Sequence, residues 1–149
     1  MNELSPFDTR LAGLLAKLSP QSRKSLAVAV SKRLRASQQQ HIKRQQAPDG
    51  TPYAPRKTAL RNKKRLRDRA MFTKLRTARY LKAQGSSDAA VVEFVGRVRR
   101  MAEVHQYGLR DKPTPYSEVV KYEARPLLGI SKNDIDIVEG AMIYYLQHH

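Results

Sequence analysis

Hydrolytic and metal chemistry need histidines and carboxylates in convergent groups. This chain of 149 residues has four histidines, His41, His105, His148 and His149, and no cysteine. His148 and His149 close the chain, where a histidine pair resembles a tag more than a built site. His41 falls in a strongly basic segment that repels a metal cation. Glu103 and His105 are two positions apart, so they do not share a helix face. The plain reading of His105 is a half-buried histidine bonded to backbone. Asp134, Asp136 and Glu139 stand at the start of an expected helix, where carboxylates complement the helix dipole. No HExxH, Walker A loop, GxGxxG or GxSxG is present. The missing cysteines exclude a disulfide scaffold, a thiolate zinc site, an iron–sulfur cluster and a cysteine nucleophile. An enzymatic reading, such as a small nuclease, needs a metal site, and the acids are too scattered in basic surroundings to suggest one. The expectation is no enzyme, no metal and no cofactor.

The chemistry that the residue types do favour is contact with anions. The net charge is +16, from 29 Lys+Arg against 13 Asp+Glu. Residues 21–82 carry 19 bases and two acids, whereas residues 83–149 carry eight bases and nine acids. Such a block needs a polyanion or an acidic protein surface nearby, or a tolerance for self-repulsion. Its densest part is Arg61, Lys63, Lys64, Arg65, Arg67 and Arg69, flanked by Arg56, Lys57, Lys74 and Arg76. Phosphate binding wants this density, because each neutralised phosphate releases counterions. A recognition helix of the kind that reads DNA sequence is not found. RNA modules usually offer stacking aromatics on a sheet; Tyr80 and Phe94 are candidates, but a strand aromatic is more often core. The alternative to nucleic acid is a solvated arm, or one that faces acidic protein.

The elements that position these residues are read from periodicity. Residues 7–18 place Leu11, Leu14, Leu15 and Leu18 at helical spacing. Ser19 and Pro20 suit the N-cap and first position of a second helix over 20–46, with Leu26, Val30, Leu34 and Ile42 as its apolar stripe. That stripe fades at Ser37-Gln38-Gln39-Gln40, so the second half is expected to be exposed or packed on a neighbouring molecule. Residues 47–57 form a loop with turn chemistry. Residues 58–70 have few large apolar side chains, and residues 71–83 suit a helix, a strand, or one passing into the other. Residues 89–95 are the best strand and can pair with 78–84 across Gly85-Ser86-Ser87-Asp88. Residues 97–106 suit a short helix closed by Tyr107-Gly108, with Val98, Met101, Ala102 and His105 at helical spacing. Residues 118–125 read as a strand ended by Arg125-Pro126. A last helix follows, with Ser131 as its N-cap and Ile135, Val138, Met142, Tyr145 and Leu146 as its apolar face. The expected class is α+β: an N-terminal helix pair, a small antiparallel sheet, and a C-terminal helix packed on the sheet, in a single domain over 1–149 with a basic arm at about 47–76. No apolar run approaches the ~20 residues of a membrane span, and the N-terminus lacks the features of a signal peptide. A soluble protein of a cytoplasm is therefore expected.

Three motifs lie in one order along the chain: Arg44-Gln45-Gln46-Ala47-Pro48-Asp49-Gly50-Thr51-Pro52-Tyr53-Ala54-Pro55, then Val104-His105-Gln106-Tyr107-Gly108, then Ala124-Arg125-Pro126-Leu127-Leu128-Gly129-Ile130. In this the chain resembles the tail completion, or virion morphogenesis, proteins of contractile-tailed temperate phages, including Mu-like ones. The likeness runs over nearly the whole chain. The resemblance implies a structural role late in tail assembly, at the head-proximal end of the tail or in the neck. The protein would work as a homo-oligomeric ring, sixfold, that permits head–tail joining. Its partners would be itself, the tail tube or tail terminator, and neck or head-completion proteins. Genomic DNA at the head–tail junction is a further candidate. The implied location is the virion, after assembly in the bacterial host cytoplasm. No catalytic residues come with the resemblance. The motif positions expected to shape the subunit or its assembly are Pro48, Gly50, Tyr53, His105, Tyr107, Gly108, Arg125, Pro126 and Gly129. Gly50 and Gly129 are read as positive-φ positions. His105 and Tyr107 are read as fixing a helix end against the strand before Pro126. The alternative function is a nucleic-acid-binding protein without sequence specificity, using the basic block 56–82.

Overall fold

A computed structural model describes residues 13–55 and 70–148 of the chain. Residues 13–15 are helical and continue into a turn before Ser19; the remainder of the expected first helix lies outside the described residues. Helix α1 spans Pro20–Lys43. Ser19 caps it as expected, its Oγ accepting the Ser22 N–H at 3.1 Å. Proline at the first helical position costs nothing there, because that N–H has no partner inside the helix.

Strands β1 (Leu81–Gly85) and β2 (Ala90–Phe94) form a two-stranded sheet. The turn closes with Ser86 N–H on the Ala89 carbonyl at 2.8 Å. A 3-10 turn, Gly96–Val98, leads into helix α2, Arg99–Tyr107. Gly108 ends α2 at φ 64 and ψ 50, the left-handed conformation that commonly closes helices. Strands β3 (Arg110–Asp111) and β4 (Val120–Lys121) pair antiparallel, Arg110 with Lys121 and Asp111 with Val120. Helix α3 spans Lys132–His148, with Ser131 immediately before it. The class is α+β, as the sequence indicates.

The described residues form two compact units. One comprises residues up to Arg35, Ala83–Val92 and the stretch from Lys132. Its core is Leu26, Val30 and Ala141, with Leu15, Leu34, Val138, Met142 and Tyr145 packed around them. The apolar face of α3 thus meets α1, and Tyr145 Oη donates to the Ser25 carbonyl at 3.3 Å. Ile135 is not part of that face; it is 45% exposed. Asp134 is fully buried. Gly85 belongs to β1 rather than to the turn, and it lets β1 approach α1. A Cβ there would lie 2.4 Å from the Val28 nitrogen.

The other unit comprises Ala36–Lys82, within the described range, and Glu93–Ser131. The second half of α1 is covered by the chain itself, contrary to the expectation of exposure or a neighbouring molecule. Ile42 is fully buried and Gln38 nearly so. Glutamine at this position hides from an apolar-stripe reading, yet its amide is used: Gln38 Oε1 accepts the Gly129 N–H at 3.1 Å. Residues 71–80 are a series of turns, neither helix nor strand, with Leu75 buried. The expected strand 118–125 shortens to the two residues of β4, because residues 122–125 bond to single main-chain groups instead of to a ladder. Tyr122 N–H donates to Leu109 O at 3.1 Å and Arg125 N–H to His105 O at 2.7 Å.

Candidate functional site

The three sequence motifs meet in the second unit. The loop over 46–52 is closed by Ala47 N–H on Thr51 O, Gly50 N–H on Ala47 O, and Asp49 Oδ1 accepting Thr51 N–H. Gly50 takes φ 89, as expected for this turn. The loop then presents Tyr53, Ala54 and Pro55 to the third motif. Tyr53 Oη donates to Pro126 O at 3.0 Å. Arg125 is 6% exposed, and its guanidinium donates to Ala54 O at 2.8 Å and Pro55 O at 3.0 Å. Charge-assisted bonds from a planar fork fix direction as well as distance.

The end of α2 binds the other side of the same segment. Gln106 Oε1 accepts Leu127 N–H at 2.8 Å and Leu128 N–H at 2.9 Å, while its Nε2 donates to Leu128 O at 2.9 Å. Gly108 admits the segment closely: a Cβ there would stand 2.8 Å from the Ala124 nitrogen. Gly129 does not have positive φ. Its need is room, since a Cβ would lie 2.8 Å from Pro48 Cγ. Gln45 ties in residue 71, accepting Met71 N–H at 2.7 Å and donating to Met71 O at 2.9 Å.

A ladder of rings crosses this clasp. Tyr53 meets Phe72 edge-on at 5.6 Å between centroids, Phe72 meets His105 at 4.9 Å, and His105 meets Tyr122 at 5.1 Å. Phe72 holds φ 65, uncommon for a bulky residue, and so carries local strain. Burial pushes the Tyr53 phenol well above its ordinary pKa. Burial, and then the nearby Arg125 charge, hold His105 below the ordinary histidine value. The ring of His105 is not bonded to backbone as expected: its buried Nδ1 has no hydrogen-bond partner. The rings of Phe72 and Tyr122 flank it. An open groove beside the ladder is lined by Phe72, Met101, His105 and Tyr122, together with Lys74, Arg97 and Lys121.

The chain matches the model of the phage virion morphogenesis family over residues 2–147. The chain belongs to this family. It is 42% identical over 149 residues to the protein named tail completion protein S of Escherichia phage P2, covering 99% of each chain. No solved structure matches it.

For this phage virion morphogenesis protein, the structure sorts the expected site residues. Pro48, Tyr53, His105, Gly108, Arg125, Pro126 and Gly129 are brought together in one clasp, whereas Gly50 shapes the turn of its own loop and stays exposed. Tyr107 is outside the clasp: its side chain is 68% exposed, and Arg125 is held by the carbonyl of His105. Arg56, Lys57, Arg61, Lys63, Lys64, Arg65, Arg67 and Arg69 lie outside the described residues. Lys74 is exposed and Arg76 half-buried. Sequence reasoning missed Gln38, Gln45 and Gln106, whose amides bind main chain. Gln38, in the polar run Ser37-Gln38-Gln39-Gln40, gave no signal; for Gln45 and Gln106 the available signal was a glutamine in a motif beside a turn. An amide offers both a donor and an acceptor there. Among the described residues, no group of three or more histidines and carboxylates gathers as a metal site, and no helix is long and apolar enough to cross a membrane.

Proposed function

We propose that this protein completes the phage tail at its head-proximal end or neck and makes it competent to join a head, acting as a sixfold homo-oligomeric ring. The observation that carries this is the 42% identity, end to end, to a protein named for tail completion. The geometry supports a structural role. The family motifs are spent on binding one another's main chain, which suits a rigid subunit. Partners on this reading are the tail tube or tail terminator and the neck or head-completion proteins. The protein is placed in the virion after assembly in the host cytoplasm. The whole chain acts as one tail-completion domain, with the basic stretch reaching acidic protein or the DNA that passes the junction.

The test is a nonsense allele of the gene in the phage that encodes this chain, with lysates viewed by negative-stain electron microscopy. Full heads beside unjoined tails are expected, with joining restored by the wild-type gene in trans. Joined, finished particles in normal number without the protein would overturn the role.

A further inference from the structure

We infer that the outer face of α3 docks on the cationic, aromatic groove of a second copy of this chain. This inference rests on the oligomer in the reading above and names its two surfaces. Gly140 lies within α3, where glycine destabilises relative to alanine. Nothing inside the described molecule explains it: a Cβ at Gly140 would meet no atom within 4 Å, and its φ is not positive. Around it, at helical spacing, stand Asp136, Ile143 and Tyr144. Ile143 is 40% and Tyr144 55% exposed. An isoleucine and a tyrosine turned outward beside a glycine form a face that permits close approach by another backbone.

The groove supplies the complementary chemistry. Phe72, Met101 and Tyr122 offer apolar surface, and Met101 is 48% exposed. Lys74, Arg97 and Lys121, with the nearly buried Arg125, line it against one acid, Glu123. Of the three carboxylates of α3, Asp134 is buried inside its own unit, whereas Asp136 is exposed beside Gly140 and offers its charge to the groove. A helix laid in a groove with apolar anchors and opposite charge is a common mode of recognition. Groove and helix face are different patches, so the contact is heterologous. Repeated, it closes a ring or runs on as a filament. The strained Phe72 and the buried, unpartnered Nδ1 of His105 mark the groove as more than a by-product of packing.

The natural chain has no cysteine, so introduced pairs report proximity directly. Phage particles carrying the double variant Ile143→Cys and Met101→Cys, treated with a short bis-maleimide, should give a ladder of multimers on a denaturing gel. Each single variant should give no multimer, because a heterologous contact does not bring two identical positions together. Dimers from either single variant would overturn the inference in favour of a two-fold contact. Crosslinks to another virion protein, or no crosslinks, would overturn the choice of partner. Gly140→Ala separates this from misfolding: it should raise Tm by roughly 3 °C and yet abolish the ladder. A ladder that survives Gly140→Ala would also overturn the proposal. The tail-completion reading fails by a different result, joined particles without the protein. The two failures are therefore distinguishable.

Discussion

Replacing Gln106 by leucine keeps side-chain size and removes every bond this amide makes. Three main-chain groups lose their partner: Leu127 N–H, Leu128 N–H and Leu128 O. Each such bond contributes about 0.5–1.5 kcal/mol net, and an unpaired buried group costs more. Leu127 is fully buried, so its amide has no ready access to water. Gln106 itself is half-buried, which lets water soften part of the loss. The expected destabilisation is about 2–3 kcal/mol, or a Tm lower by about 4–12 °C for a chain of this size. The assay is thermal and urea unfolding of the purified full chain, followed by circular dichroism. Gln106→Glu is the control. It keeps the acceptor for both N–H groups and loses only the donor to Leu128 O, so it should cost clearly less than leucine at neutral pH. If Gln106→Leu unfolds within about 0.5 kcal/mol of wild type, the amide is not holding the segment and the clasp is misread.

Further expectations follow from single contacts. Gly85→Ala forces a Cβ to within 2.4 Å of helix backbone at Val28, which no rotamer can relieve. It should cost about 2 kcal/mol or more in urea unfolding, above the common range for surface changes. Tyr53→Phe removes the bond to Pro126 O and keeps the ring against Phe72, so a loss of about 1 kcal/mol is expected. His105 is held neutral in the fold by burial and then by Arg125, and its folded pKa lies below the ordinary 6.5. The unfolded chain therefore takes up the proton first as pH falls. Stability from this group should be flat above about pH 6.5 and decline below it, until the folded pKa is reached. Urea midpoints measured from pH 7.5 to 5 should show this decline, and His105→Phe should flatten it.

How much of this was legible in the residues differs by type of contact. Apolar periodicity found α1 and α3, because Leu26, Val30, Val138 and Met142 recur at the helical period. The turn residues found the β1–β2 hairpin, and Ser19-Pro20 found the start of α1. Periodicity failed where apolar count stops measuring burial. The second half of α1 reads as exposed from Gln38-Gln39-Gln40, yet Gln38 is 3% exposed and Gln39 donates to Arg76 O at 2.8 Å. Ile135 errs the other way: it is assigned to the apolar face of α3 but is turned outward. Residues 71–80 gave three readings because none of their turns repeats, and no period exists to detect.

The same cause explains why the clasp was found by its motifs and misjudged in its mechanism. Tyr53, His105, Tyr107, Arg125 and Pro126 stand out as motif positions expected to shape the subunit, with His105 and Tyr107 fixing a helix end against the strand before Pro126. That strand is nearly absent: β3 and β4 pair over two residues each. A ladder normally satisfies the main chain of such a segment, and buried main-chain groups need partners of some kind. Here side chains take that duty. Gln106, Gln38 and Arg125 each reach across more than twenty residues of sequence to bond main-chain atoms of other motifs. A side chain that replaces a ladder leaves no alternation and no run of β-branched residues to read. It also makes the segment depend on single residues instead of on distributed pairing. Point changes at Gln106 or Arg125 should therefore displace a whole motif, whereas a change at exposed Lys74 should leave the fold intact.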